Sequence, residues 1–195
     1  DRTVDLLLDW MDQEILRPDF EVKHIEKNEL IIIGNLRLNL RIDRIDSTSK
    51  GEQILIDYKT GSTNTNTWFM ERIQDPQLPL YTIKSSPTAI AFAHISKGSL
   101  KWKSIWDPII PNPFPEKSKV KIPLNIEEEI GWPNWSSLLK FWEIKLKELA
   151  DNFMEGQIVT NPINQDETCR NCNYAMLCRI GENASDVNSL ENIDV

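Results

Sequence analysis

With 195 residues, 40% of them apolar and seven of them tryptophan, the chain is long enough to bury one ordinary core and too hydrophobic for a disordered polypeptide. No apolar run approaches the roughly 18 residues that a membrane span needs. A net charge of −8 excludes a uniformly basic nucleic-acid-binding surface, although a local basic cleft is compatible with an acidic exterior.

In chain order, Leu7, Leu8, Met11 and Ile15 recur at helical spacing and predict an amphipathic helix over Val4–Ile15, ended by Pro18. Phe20–Lys27 and Leu30–Gly34 read as two strands joined by a turn at Asn28. Over Leu36–Asp46, apolar residues at 36, 38, 40 and 42 alternate with Arg37, Asn39, Arg41 and Asp43. Ile45 then breaks the alternation, which predicts a bulge or a strand end after Asp43. Ser47–Gly51 is a turn and Gln53–Lys59 the next strand, closed by Thr60-Gly61 and a Ser/Thr/Asn-rich loop. A helical region is expected over Trp68–Lys84, with Asp75-Pro76 as N-cap and first-turn proline of its second piece. Thr88–Ile95 and Leu100–Trp106 form a strand pair around Lys97-Gly98, followed by a proline-rich stretch, Pro108–Pro123. A long helix over Asn134–Glu155 buries Leu138, Trp142, Leu146, Leu149 and Phe153, and Gly156 caps it. Residues 1–180 are expected to form one domain with a cysteine segment at 166–180, and 181–195 an acidic, flexible tail. Without an initiator Met or a signal peptide, the sequence reads as a piece of a longer, cytoplasmic protein.

Alternation along a strand puts Asp57 and Lys59 on one face, with Tyr58 on the other. A hairpin through Ser47–Gly51 brings Asp43 beside them. Two hard oxygen ligands on adjacent strands suit Mg²⁺ or Mn²⁺, which polarises a phosphodiester and activates water, while a nearby ammonium offsets transition-state charge. Acid-x-Lys alone has little specificity, since Glu21-Val-Lys23 and Glu143-Ile-Lys145 also match. The plain alternative is a surface ion pair of Asp57 with Lys59. Cys169-x-x-Cys172 with Cys178 supplies three thiolates, which by spacing alone serve zinc, a [4Fe–4S] cluster or no metal. Lys117, Lys119 and Lys121 would track a DNA backbone or blunt a sheet edge, and of Arg37, Arg41 and Arg44 two share the polar face with Asp43. His94 reads as a core or edge residue, and most tryptophans as core.

Three strings then occur in order: Leu40-Arg-Ile-Asp43-Arg-Ile-Asp46, Ile56-Asp57-Tyr-Lys59-Thr-Gly61 and Gln77-Leu-Pro-Leu-Tyr81. Together they resemble successive motifs of the PD-(D/E)XK nucleases, in particular the RecB/AddB branch. The resemblance implies an α/β, restriction-endonuclease-like core with a central mixed sheet flanked by helices. It implies metal-dependent DNA hydrolysis, exonucleolytic in type, within double-strand-break repair or recombination, alongside a helicase/nuclease partner subunit. It places Mg²⁺ or Mn²⁺ on Asp43, Asp57 and the Tyr58 main-chain carbonyl, catalysis on Asp43, Asp57 and Lys59, and Gln77 and Tyr81 beside them. Arg41 and Arg44 become candidate DNA contacts. Cys169, Cys172 and Cys178 resemble the iron–sulfur staple of AddB-type nucleases, whose fourth cysteine lies far upstream and has no counterpart in this chain. Leu40 stands where the family commonly has glycine, and neither His24 nor His94 matches the metal-binding histidine that such nucleases often carry upstream. A catalytically silent DNA-binding or scaffolding domain is the alternative function.

Overall fold

A computed structural model of the chain describes residues 2–157, 159–170, 172–178 and 180, so the expected acidic tail at 181–195 lies outside the described residues. Two compact units, Asp1–Met154 and Glu155–Val195, divide the chain. The first unit holds a five-stranded sheet in the order β1 (Phe20–Ile33), β2 (Leu36–Thr48), β3 (Gln53–Lys59), β4 (Ala89–Ser96) and β5 (Ser99–Trp106). All neighbours are antiparallel except β3 and β4, which run parallel. A parallel neighbour demands a crossover, and residues 60–88 supply it, carrying a 3-10 turn at Thr65–Phe69 and helix α2 (Gln77–Ser85). The expected mixed sheet flanked by helices is therefore what the chain adopts.

Each face of the sheet has its own core. On one, α2 and α4 (Trp135–Met154) bury Leu78, Tyr81, Leu138, Trp142 and Leu146 against Ile45, Leu55, Ile90 and Phe92. On the other, Trp10 of α1 (Arg2–Ile15) packs with Ile54, Ile56, Ala91, Trp102 and Phe114. Five of the seven tryptophans are buried: Trp10, Trp68, Trp102, Trp135 and Trp142. The Trp142 indole N–H donates to the Trp68 carbonyl at 2.9 Å, tying α4 to the crossover.

Several expectations need correction. β1 is one strand of 14 residues with no turn at Asn28; its irregularities are a register shift between Val22 and His24 and a left-handed Glu26 (φ 50°). β2 does not end after Asp43. Ile42 and Ile45, three apart, join the same core, while Arg44 and Asp46 turn to the α1 side, so the alternation slips within a continuous strand. The apolar stripe of α1 is outward-facing, with Leu8 62% and Ile15 76% exposed; Trp10 and Glu14 are the residues it buries. Helix α2 starts only at Gln77, its N-cap is Pro76, and Asp75 does not cap it. Helix α3 (Leu124–Ile130), unforeseen beyond the proline-rich stretch, follows Pro123 and buries Ile126 and Ile130. On α4, Phe153 is 71% exposed, and Phe141 and Ala150 fill the stripe instead.

In the second unit, residues 165–170 and 175–178 form short helices. Cys169, Cys172 and Cys178 are all free, and Cys172 Sγ accepts from the Tyr174 N–H at 3.4 Å.

Candidate active site

The β2–β3 ladder runs from Ser47↔Gln53 to Arg44↔Ile56 and stops there. Beyond that point Asp43 meets β3 through its side chain: Oδ2 accepts from the Tyr58 main-chain N–H at 2.9 Å. The carboxylate thus takes up a backbone donor that the ladder no longer satisfies. One residue earlier along β3, Asp57 projects to the α2 side of the sheet, opposite Phe92 of β4.

Asp57 is 1% exposed. Lys59 Nζ lies 2.8 Å from its Oδ2, close enough for an ion pair yet without hydrogen-bond alignment, so this buried oxygen has no hydrogen-bond donor. Burial pushes the Asp57 carboxyl up to about 6; Lys59 opposes the shift, and the charges of Asp43 and Asp75 add to it. A desolvated carboxylate close to a second one, with one lysine for the pair, is what a further cation would relieve. Hard oxygen donors of Asp43 and Asp57, with the Tyr58 carbonyl, fit a Mg²⁺ or Mn²⁺ ion in kind. Among the described residues no group of three or more His, Cys, Asp or Glu side chains is arranged to hold a metal, so carboxylates alone do not complete a site.

Lys59 is held from its other side. Its Nζ donates to Gln77 Oε1 at 2.8 Å, Gln77 Nε2 donates to Tyr81 Oη at 3.0 Å, and Tyr81 Oη donates to the Arg41 carbonyl at 2.6 Å. Gln77 and Tyr81 are one helical turn apart, so α2 presents both to the strands at once. Because the Tyr81 proton is committed to Arg41, the hydroxyl can only accept from Gln77, and that fixes the amide with its oxygen toward Lys59. The ammonium also lies 5.4 Å from the centre of the Phe92 ring.

The structure thus brings together Asp43, Tyr58, Asp57, Lys59, Gln77 and Tyr81. Arg41 contributes its carbonyl, while its exposed side chain pairs with Glu26 at 2.7 Å. Arg44 does not join them. It is 8% exposed on the α1 side, with Nε 2.6 Å from Asp46 Oδ1 and Nη1 2.8 Å from Glu14 Oε1, and it also donates to the Tyr58 hydroxyl at 2.9 Å. Burial works against the Arg44 charge, yet Asp46 and Tyr58 outweigh it and hold the guanidinium firmly protonated. A side chain so committed has no donors to spare for a phosphate, and as the strand neighbour of Asp43 it projects from the opposite face. Lys117, Lys119 and Lys121 face outward beside β5, to which Lys119 makes a bridge at Ser104; they cover a sheet edge.

Sequence reasoning missed Asp75, which acts electrostatically on Asp57, and the role of Phe92 under Lys59. Asp75 stands two residues before Gln77, and its signal was masked by the Asp-Pro pattern of a helix cap.

A family model described as the PD-(D/E)XK nuclease superfamily matches residues 2–179. No curated protein gives a significant match. A solved structure titled "Crystal structure of SSO0001" is 15% identical and is covered over 67% of its length by 91% of this chain, with a TM-score of 0.40.

Proposed function

The chain belongs to the PD-(D/E)XK nuclease superfamily, and from that premise we propose that it hydrolyses phosphodiester bonds of DNA with Asp43, Asp57 and Lys59 at its centre. The observation that carries the reading is the buried Asp57 oxygen left without a donor beside Lys59, on the strand whose next N–H is held by Asp43. A Mg²⁺ or Mn²⁺ ion bound by Asp43, Asp57 and the Tyr58 carbonyl would supply Lewis-acid polarisation of the phosphate and an activated water. The chain's own residues do the rest. Asp43 fixes the backbone at Tyr58. Lys59 brings a positive charge to the phosphate oxygens, at a position set by Gln77 and Tyr81. Phe92 and the α2 core keep one side of the site dry.

Within the superfamily, the order and content of the three motifs support a RecB/AddB-like nuclease, exonucleolytic and acting in DNA repair or recombination with a helicase-bearing partner, in the cytoplasm. By the same resemblance, Cys169, Cys172 and Cys178 are three ligands of a [4Fe–4S] cluster; stoichiometric zinc without iron in the purified full-length protein would refute this. The enzymatic reading is tested by incubating linear DNA with the protein and Mg²⁺ or Mn²⁺, beside Lys59→Ala. Cleavage by the wild type and its loss in the variant are expected. Equal inertness of the two would leave a silent DNA-binding domain.

A further inference from the structure

The face that carries Asp57 and Lys59 continues across two more strands. Strand register sets Asp57 beside Phe92 and Lys59 beside His94 on β4, and then Phe92 beside Lys103 and His94 beside Lys101 on β5. Paired residues project from the same side of a sheet, so Lys59, His94, Lys101 and Lys103 share one face. Asp57 lies on this face too, paired with Lys59 and two strands away from Lys103. Among the described residues neither Lys101 nor Lys103 forms an ion pair, and Lys101 is exposed.

Two buried polar groups lie here. His94 is 7% exposed; its Nε2 meets Ser96 Oγ at 2.9 Å, and Nδ1 has no hydrogen-bond partner apart from the Gly61 main chain, which raises the ring's proton affinity. Thr63 Oγ1 is buried and unpartnered, in the loop whose carbonyl accepts from Lys103 Nζ. The two lysines act on each other and on the His94 ring. Burial lowers the proton affinity of His94 and of Lys103, and Lys101 lowers both further. Two lysines without an ion-pair partner, on the same face as Lys59, are stabilised by a bound anion.

We propose that Lys101, Lys103 and His94, with the Gly61–Thr63 loop, form a phosphate-holding tract that receives the nucleic-acid strand as it leaves Lys59. β3 and β5 are two strand spacings apart, about 10 Å, or about three nucleotide rises along one strand of a duplex. The tract therefore grips phosphates neighbouring the scissile one and sets the path of the strand without reading its bases. It accounts for how a chain of net charge −8 attracts a polyanion. The proposal rests on the nuclease reading for its direction, but not for its measurement.

The test is the anisotropy of a labelled DNA oligonucleotide titrated with the protein in EDTA, over a range of salt. Lys101→Gln/Lys103→Gln is expected to bind roughly tenfold more weakly, with the salt slope reduced by about two. Lys23→Gln/Lys27→Gln, which removes the same charge from β1, leaves both values at wild type. If the Lys103 substitution unfolds the loop, the exposed Lys101→Glu alone must still weaken binding and lower the slope. Affinity and slope equal to the control pair would overturn the tract. Cleavage with Mn²⁺ is followed in parallel: binding through the tract without cleavage by the wild type refutes the nuclease reading alone, and cleavage with unchanged KM in the double variant refutes the tract alone.

Discussion

The two faces of the sheet each bury charged side chains, and the two clusters follow opposite rules. On the α1 side, Arg17 and Arg44 meet Glu14 and Asp46, two cations against two anions. Arg17 Nη1 is 3.0 Å from Glu14 and 2.8 Å from Asp46, and its guanidinium carbon lies 4.0 Å from the centre of the Phe20 ring. The Trp10 indole and the Tyr58 hydroxyl complete the network. On the α2 side, two carboxylates, Asp43 and Asp57, face a single lysine. Charge is balanced where it serves to hold α1 on the sheet, and unbalanced where a ligand is to be held. The clusters touch through Tyr58, whose N–H binds Asp43 on one side and whose phenol binds Arg44 on the other.

That contrast can be broken from either side. The largest effect is expected from Asp57→Asn: cleavage falls by about a thousandfold or more, while thermal unfolding in EDTA at pH 7 shows a protein at least as stable as wild type. A parallel loss of stability would mean that Asp57 is structural. Glu14→Gln should do the reverse. Removing one partner of a buried pair costs about 3–5 kcal/mol, read from urea unfolding, with turnover per folded molecule largely kept.

The pH dependence sharpens the comparison further. The Asp57 carboxyl titrates at about 6 in the fold against 3.8 when unperturbed, so the folded state favours its proton. Its contribution to stability is complete below about pH 4 and is lost as pH rises through about 6, a difference of roughly 3 kcal/mol at most. Urea unfolding of metal-free wild type against Asp57→Asn should show the variant gaining on the wild type across that window. A flat difference would remove the desolvation argument. The smallest effect is expected from Tyr81→Phe, which frees the Gln77 amide and the Lys59 ammonium it orients. A fall in kcat of about tenfold with unchanged KM marks lost positioning of a transition-state charge. A raised KM with unchanged kcat would assign Tyr81 to substrate binding.

Asp57 and Lys59 were legible because strand parity is local: two residues apart on an extended chain, they share a face whatever surrounds them. Gln77 and Tyr81 were legible for the corresponding reason on a helix. Arg44, a candidate DNA contact by resemblance, projects from the face opposite Asp43 as its strand neighbour, while the slip near Asp43 brings Ile42 and Ile45 to one side. The α1 stripe was misread: periodicity identifies an amphipathic helix but not which side meets the protein, and Glu14 and Trp10 are drawn inward by partners distant in sequence. Asp75 illustrates a third limit, since a side chain suited to capping a helix is equally suited to an acidic site.

The sequence by itself determined strands β2 to β5, the long helix α4, and that Asp57 and Lys59 point together, since each depends on a local period. Only the tertiary structure decided that the ladder opens at Asp43, that Arg44 belongs to α1 and not to the site, and that Lys101 and Lys103 lie on the same face as Lys59. Those outcomes depend on register between strands and on the desolvation of particular atoms, which no local spacing encodes.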